Sequence, residues 1–235
     1  MQAKVKTGFV LGMIFLFTNT FGQSVDTITT EASKKARVKQ NTYLNPFIRL
    51  VGTSLNYGSS NSELADYKKQ IVGARAGVTF QAGLTPSFSL ASELYVIMKG
   101  GKLKADNPIT GNETTDRLYA VELPILARFH VGKFHVNAGP SVGYNIYGTR
   151  KMNDVRRDLS FGNSRQDFKR FEAGIQAGGG YTFKTKHQMA TVDLRYNHGL
   201  TNISNAREIY NRNVMVSLHI YRPWKSSPFS SARKK

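Results

Sequence analysis

Residues 71–99 read IVGARAGVTFQAGLTPSFSLASELYVIMK, and two features of this stretch decide the fold. From Ile71 to Leu84 polarity alternates residue by residue. Val72, Ala74, Ala76, Val78, Phe80, Ala82 and Leu84 share one face; Ile71, Gly73, Arg75, Gly77, Thr79, Gln81 and Gly83 share the other. A period of two is the mark of a strand, whose successive side chains point to opposite faces. The second feature is Thr85-Pro86, a tight turn into another strand-like run that carries Glu93. Arg75 and Glu93 then sit near the middles of neighbouring strands. In water such a sheet buries its apolar face; in a membrane barrel the apolar face meets lipid and the charges point inward.

Working outward, the same texture predicts eight strands, over 46–57, 71–84, 87–99, 117–131, 133–148, 168–183, 188–200 and 211–222. The connections alternate in length. Those after the first, third, fifth and seventh strands are long (58–70, 100–116, 149–167 and 201–210). Those after the second, fourth and sixth are short: Thr85-Pro86, Gly132-Lys133 and 184–187. A water-soluble sandwich has no reason to sort its loops this way. A membrane barrel with tight periplasmic turns and long extracellular loops does. The expected fold is therefore all-β: an eight-stranded antiparallel up-and-down transmembrane barrel, monomeric, with both ends of the chain on the periplasmic side.

The other strands repeat the pattern. The fourth sets Tyr119, Val121, Leu123, Ile125, Ala127, Phe129 and Val131 against Glu122, Arg128 and His130; the seventh sets Val192, Leu194 and Tyr196 against Asp193 and Arg195. The expected interior charge network is Arg75, Glu93, Glu122, Arg128, Glu172, Asp193 and Arg195. Facing lipid, an Arg or Lys at mid-membrane would cost on the order of 2–4 kcal/mol; facing one another they pair. A barrel of this size has its lumen filled by side chains, so a plugged interior is expected. Outward aromatics divide between strand ends: Phe129, Phe134, Tyr181, Phe183 and Trp224 at one, and Tyr119, Tyr144, Phe171 and Tyr196 at the other. That is the two-girdle pattern of rings at membrane interfaces. The first strand discriminates least, although Arg49 inward leaves Ile48 and Leu50 outward.

Export is written at the start of the chain. Lys4 and Lys6 precede an uncharged apolar run, Gly8 to Phe17, which reads as a signal peptide over 1–22 cleaved near Gly22–Gln23. A flexible lead-in (23–45), the barrel (46–224) and a basic tail (225–235) follow. The chain has no cysteine and therefore no disulfide, thiolate metal site or lipidated N-terminal cysteine. Its net charge of +18 would favour nucleic acid in the cytoplasm; for an exported chain no nucleic acid is expected, and the charge reads either as a counterpart for anionic lipopolysaccharide or an acidic envelope protein or as simply solvated basic loops and tails.

Three stretches resemble the PorT-like outer-membrane β-barrel family. Leu118-Tyr-Ala-Val-Glu-Leu-Pro-Ile-Leu-Ala-Arg-Phe129 is similar to its Y-x-E-(I/L)-P-(L/I)-L strand. Phe134-His-Val-Asn-Ala-Gly-Pro-Ser-Val-Gly-Tyr144 resembles the strand after it, and Asp193-Leu-Arg-Tyr-Asn-His-Gly-Leu-Thr-Asn-Ile203 a later strand end. The resemblance implies the fold, the outer membrane and, for some members, a tie to protein secretion or gliding machinery; it implies no catalytic set. Pro124, lacking a ladder donor, predicts a bulge, with Gly139-Pro140 as its counterpart in the next strand. The tail beyond Trp224 departs from family barrels, which end on an aromatic strand.

Chemistry-bearing residues are sparse. Ser217 and His219 share an inward face, His198 points to lipid, and His130, His135 and His187 gather at turns; no pair suits outer-leaflet hydrolysis. The five histidines lack metal-ligand spacing, Gly178-Gly179-Gly180 precedes no helix and reads as a strand under close packing or strong bending, and no cofactor is expected. The loop 149–167 carries Arg150, Lys151, Arg156, Arg157 and Arg165 among Asp154, Asp158 and Asp167, a contact for lipopolysaccharide phosphate or a partner, or else a solvated loop with internal salt bridges. The expected function is non-enzymatic, structural or interaction-based, accessory to an envelope machine; a small-solute porin and a lipid-modifying enzyme are the alternatives.

Overall fold

The computed structural model describes residues 42–184 and 188–221. The signal peptide, most of the lead-in, His187, Trp224 and the basic tail lie outside them. Among the described residues ten strands form in chain order: β1 (Tyr43–Tyr57), β2 (Lys68–Lys69), β3 (Ile71–Gly83), β4 (Phe88–Leu103), β5 (Thr114–Val131), β6 (Phe134–Met152), β7 (Val155–Asp158), β8 (Phe171–Lys184), β9 (Met189–Gly199) and β10 (Ile209–Tyr221). Eight of them close a ring, each antiparallel to its neighbours in the order β1, β3, β4, β5, β6, β8, β9, β10 and back to β1. The short strands β2 and β7 extend the wall beyond the ring by pairing with β4 and β6.

Alternation sets the two faces all the way round. Ile48, Leu50, Val72, Val131 and Val216 are more than 60% exposed, whereas Arg49, Arg75, Glu93, Arg128, Asp193 and Arg195 are buried in the lumen. The barrel is inside-out relative to a soluble protein. That arrangement is stable only where lipid covers the outside.

The connections split by end. At one end the turns are short, 84–87 and Gly132-Lys133, and only four residues separate β8 from β9 in the sequence. Gly132, with φ of 63°, takes the first central position of a two-residue hairpin, the place where a type II′ turn requires glycine. At the other end the links are long and partly structured. A 3₁₀ segment, Ser59–Tyr67, follows β1. Residues expected to form the loop 149–167 instead continue the barrel wall: β6 runs to Met152 and turns through Asn153 and Asp154 (φ 48° and 64°) into β7. Two consecutive positive φ values make this a type I′ hairpin. The first strand begins at Tyr43, not Pro46, so residues 43–45 belong to the barrel rather than to the lead-in.

The bulge does not lie at Pro124. Pairing runs without a shift from Pro124↔Ser141 to Ala127↔Ala138. The register slips instead between Tyr119 and Ala120, where β6 has Ile146 as an extra residue. Proline removes one ladder donor but does not lengthen its strand, so alignment survives it. Gly139 keeps the two strands close here, since a Cβ on it would collide with the Ile125 carbonyl oxygen.

Candidate functional site

The lumen is filled in layers. Nearest the loop end, Leu55, Leu118, Phe168, Ile203 and Ile209 form an apolar cap, with Tyr57, Leu159 and Phe161 against it. Beneath the cap, Lys99 bridges two carboxylates: its Nζ lies 2.5 Å from Glu122 Oε1 and also contacts Glu172. Tyr95 donates its hydroxyl to Glu122 (2.7 Å), and Asn211 donates to Glu172 (2.7 Å).

The next layer is centred on Glu93. Arg75 and Arg195 each approach its Oε2 at 3.1 Å, and Arg49 lies 3.7 Å from Oε1. The Arg49 guanidinium also rests over the Phe47 ring, 3.8 Å from its centroid. At the turn end Asp193 accepts from His135 (2.8 Å), Asn137 (3.1 Å) and Arg128 (3.4 Å), and Arg195 reaches it at 3.5 Å. Arg195 thereby joins the two lower layers.

Room for these groups comes from glycines on adjoining strands. Gly77 faces Tyr95, Gly178 faces Arg195 and Gly180 faces the His135 ring, each too close to admit a Cβ. The glycine run 178–180 is closely packed, one of the two readings its sequence left open.

All seven residues expected in the interior network lie in these layers. Three that complete it were not among them: Lys99, Arg49 and His135. The signal for Lys99 was present, because Glu93, Tyr95, Ile97 and Lys99 occupy alternate positions of one strand. Ending that strand at Lys99, when β4 runs to Leu103, hid it.

The five cations of 149–167 do not act together. Arg150 turns inward and forms a two-point ion pair with Asp116 (2.7 and 2.8 Å) over the Phe168 ring. Lys151 pairs with Asp154 at 2.6 Å. Arg156, Arg157 and Arg165 are exposed. Ser217 and His219 are drawn apart chemically: Arg75 donates to Ser217 Oγ (3.0 Å), and Arg49 bonds His219 Nδ1 (2.9 Å).

The segment after β7 is clasped by Asp167. Its carboxylate accepts from Ser160 Oγ (2.5 Å) and Ser164 N–H (2.9 Å), while Asn205 donates to Gly162 and Ser164 carbonyls. The Ser160 hydrogen bond, then that of Ser164, lowers the Asp167 pKa below the usual aspartate range. A lowered pKa means that the clasp is complete at neutral pH and loosens only as pH falls through that lowered value. Asp167→Asn is therefore expected to speed amide exchange at Ser164 at neutral pH, with wild type losing the same protection only in acid; hydrogen–deuterium exchange corrected for the intrinsic pH dependence of amides reads it.

These features meet a match in sequence. A family model described as "Outer membrane protein beta-barrel domain" covers residues 50–205, from within β1 to the loop before β10. The chain belongs to that family. An outer membrane protein beta-barrel domain resides in the outer membrane, in keeping with the lipid-facing band described above. Among solved structures, the barrel is similar to Neisserial surface protein A (12% identity, TM-score 0.45, covering 78% of this chain and 97% of that one). It is also similar to Ail, the attachment invasion locus protein of Yersinia pestis (8% identity, TM-score 0.40, covering 75% and 96%). No curated protein matches it in sequence.

Proposed function

We propose that this barrel conducts no solutes, carries no catalytic activity, and serves as an interaction protein accessory to a larger envelope or secretion assembly, as the PorT-like motifs in β5, β6 and β9 imply. The observation that carries this reading is the lumen. Three ion-paired layers and an apolar cap occupy it from turn end to loop end. The vestibule above the cap, about 610 Å³ and lined by Tyr57, Asp116, Arg150, Arg157 and Arg207 among others, ends blind on Phe168 and Ile209. With the inside filled, specificity falls to the loop-end surface and the exposed cations Arg157 and Arg165.

Planar-bilayer recording tests the closed lumen. The purified barrel is expected to give silent bilayers, and truncating the cap (Leu118→Ala with Phe168→Ala) is expected to leave them silent, because the charged layers remain beneath. Stepwise conductance in wild type would return the small-solute porin instead. Gentle extraction from native outer membranes then tests the accessory role. A stoichiometric partner, lost on Arg157→Glu with Arg165→Glu, is the expected result; a barrel that always emerges alone removes the role.

A further inference from the structure

The outer wall at the loop end carries a feature that the interior does not explain. Across four strands the pairing register sets Lys102 beside Thr115, Thr115 beside Lys151, and Lys151 beside Arg156. The next outward row is Gly100, Arg117 and Thr149. The row below is Met98, Tyr119 and Tyr147. Polarity thus inverts within about 7 Å along the strand, the rise of two residues. Because glycine and threonines stand between the cations, the upper rows enclose a cleft of about 600 Å³. Below it, on the lipid-facing wall, Ala74 and Ala76 floor an apolar groove of about 400 Å³. Ile48, Met98, Tyr119 and Ile146 wall it, and Tyr119 lies two residues along β5 from Arg117 of the cleft. Ile146 is the extra residue of the bulge, so the same irregularity builds one side of the groove.

The charges in the cleft do not balance. Glu113 pairs with Lys102 (2.5 Å) and Asp154 with Lys151 (2.6 Å). Arg117 and Arg156 have no acidic partner among the described residues, and Arg117 Nε is buried without a hydrogen-bond acceptor. Two uncompensated guanidiniums match the charge of a phosphate monoester, about −1.5 to −2 near neutral pH, and arginine's forked donors suit its oxygens. Thr115, Thr149 and Asn153 add donors and acceptors, in a space larger than one phosphate needs.

The geometry points to a seat for one phosphorylated, acylated glycolipid of the lipid A class, its phosphate between Arg117 and Arg156 and an acyl chain in the Ala74–Ala76 groove. This rests on the lipopolysaccharide contact expected of residues 149–167. It moves that contact from the loop to the strand wall, keeps only Lys151 and Arg156 of the five cations, and adds Arg117 and Lys102. It does not depend on a closed lumen or on any protein partner.

The test uses the full barrel in lipid nanodiscs, with lipid A, dephosphorylated lipid A and phosphatidylglycerol as probes and bound lipid counted by native mass spectrometry. One lipid A per barrel is expected. Arg117→Gln with Arg156→Gln is expected to weaken its binding about ten-fold, the scale of losing charge-assisted hydrogen bonds. Ala76→Phe, which fills the groove, is expected to weaken it comparably. Dephosphorylated lipid A is expected to bind weakly to wild type and to ignore the arginine changes. Heat-modifiable gel mobility verifies that each variant is folded. Unchanged lipid A binding in both variants would overturn the site, and displacement by an equal amount of phosphatidylglycerol would overturn the glycolipid assignment. Neither result bears on conductance or on co-purifying proteins, so the earlier reading stands or falls separately.

Discussion

Replacing Lys99 with methionine is expected to destabilise the barrel by about 3–5 kcal/mol, the cost typical of removing one partner from a buried ion pair. Methionine conserves the length of the side chain and most of its packing, so the loss is electrostatic. Glu122 and Glu172 would be left facing each other without the cation that lies between them. Tyr95 and Asn211 continue to donate to these carboxylates, but neutral donors do not cancel two charges. Urea titration of the barrel refolded in lipid vesicles, followed by heat-modifiable gel mobility, measures the effect. The triple variant Lys99→Met, Glu122→Gln, Glu172→Gln is expected to recover most of the loss, since a neutral polar layer carries no unpaired charge. If the triple variant is as unstable as Lys99→Met, packing rather than charge holds this layer.

Glu93→Gln is expected to produce the second large effect, again about 3–5 kcal/mol, with the sign of the unpaired charge reversed. Arg75, Arg195 and Arg49 then converge on an amide that neutralises none of them. Arg195 retains Asp193 at 3.5 Å, so the repulsion falls chiefly on Arg75 and Arg49. Adding Arg75→Met to Glu93→Gln is expected to restore part of the stability, because one cation leaves with the anion. Arg49→Met alone is expected to cost far less than Glu93→Gln. Its ion pair is the longest of the three, and its place over Phe47 suits a methionine equally well. An Arg49→Met loss as large as that of Glu93→Gln would mean that the three arginines do not share the load as their distances imply.

The barrel was legible because its signal is redundant. Each strand repeats the period of two, and the loop lengths repeat the up-and-down order, so errors of two to four residues at strand ends left the topology intact. The polar face of each strand likewise named most of the interior charges: Arg75 in the second strand and Asp193 in the seventh could face nothing but the lumen or lipid. Partners were not legible. That Lys99 joins Glu122 to Glu172, or that Arg195 spans two layers, depends on stagger between strands far apart in sequence, which alternation does not encode. The hairpin at Asn153-Asp154 was missed for a different reason. Its flanks, Arg-Lys-Met and Val-Arg-Arg-Asp, stand above the lipid and lack the apolar face by which the other strands were recognised. The same blindness hid the cleft, since Lys102, Arg117 and Lys151 meet only through pairing register.

The ring closes unevenly. Between the first and last strands, ladder pairs among the described residues run from Gly52↔Val214 to Tyr57↔Ile209, all in the half nearer the loops. In the other half, contacts inside the barrel reach across instead: Arg49 of β1 bonds His219 of β10, and Arg75 of the neighbouring β3 bonds Ser217 of β10. The seam is thus zipped by backbone above and buttoned by side chains below. The charges that fill the lumen therefore have a second use: they hold the first and last strands together in the half of the seam where, among the described residues, no backbone ladder pairs join them.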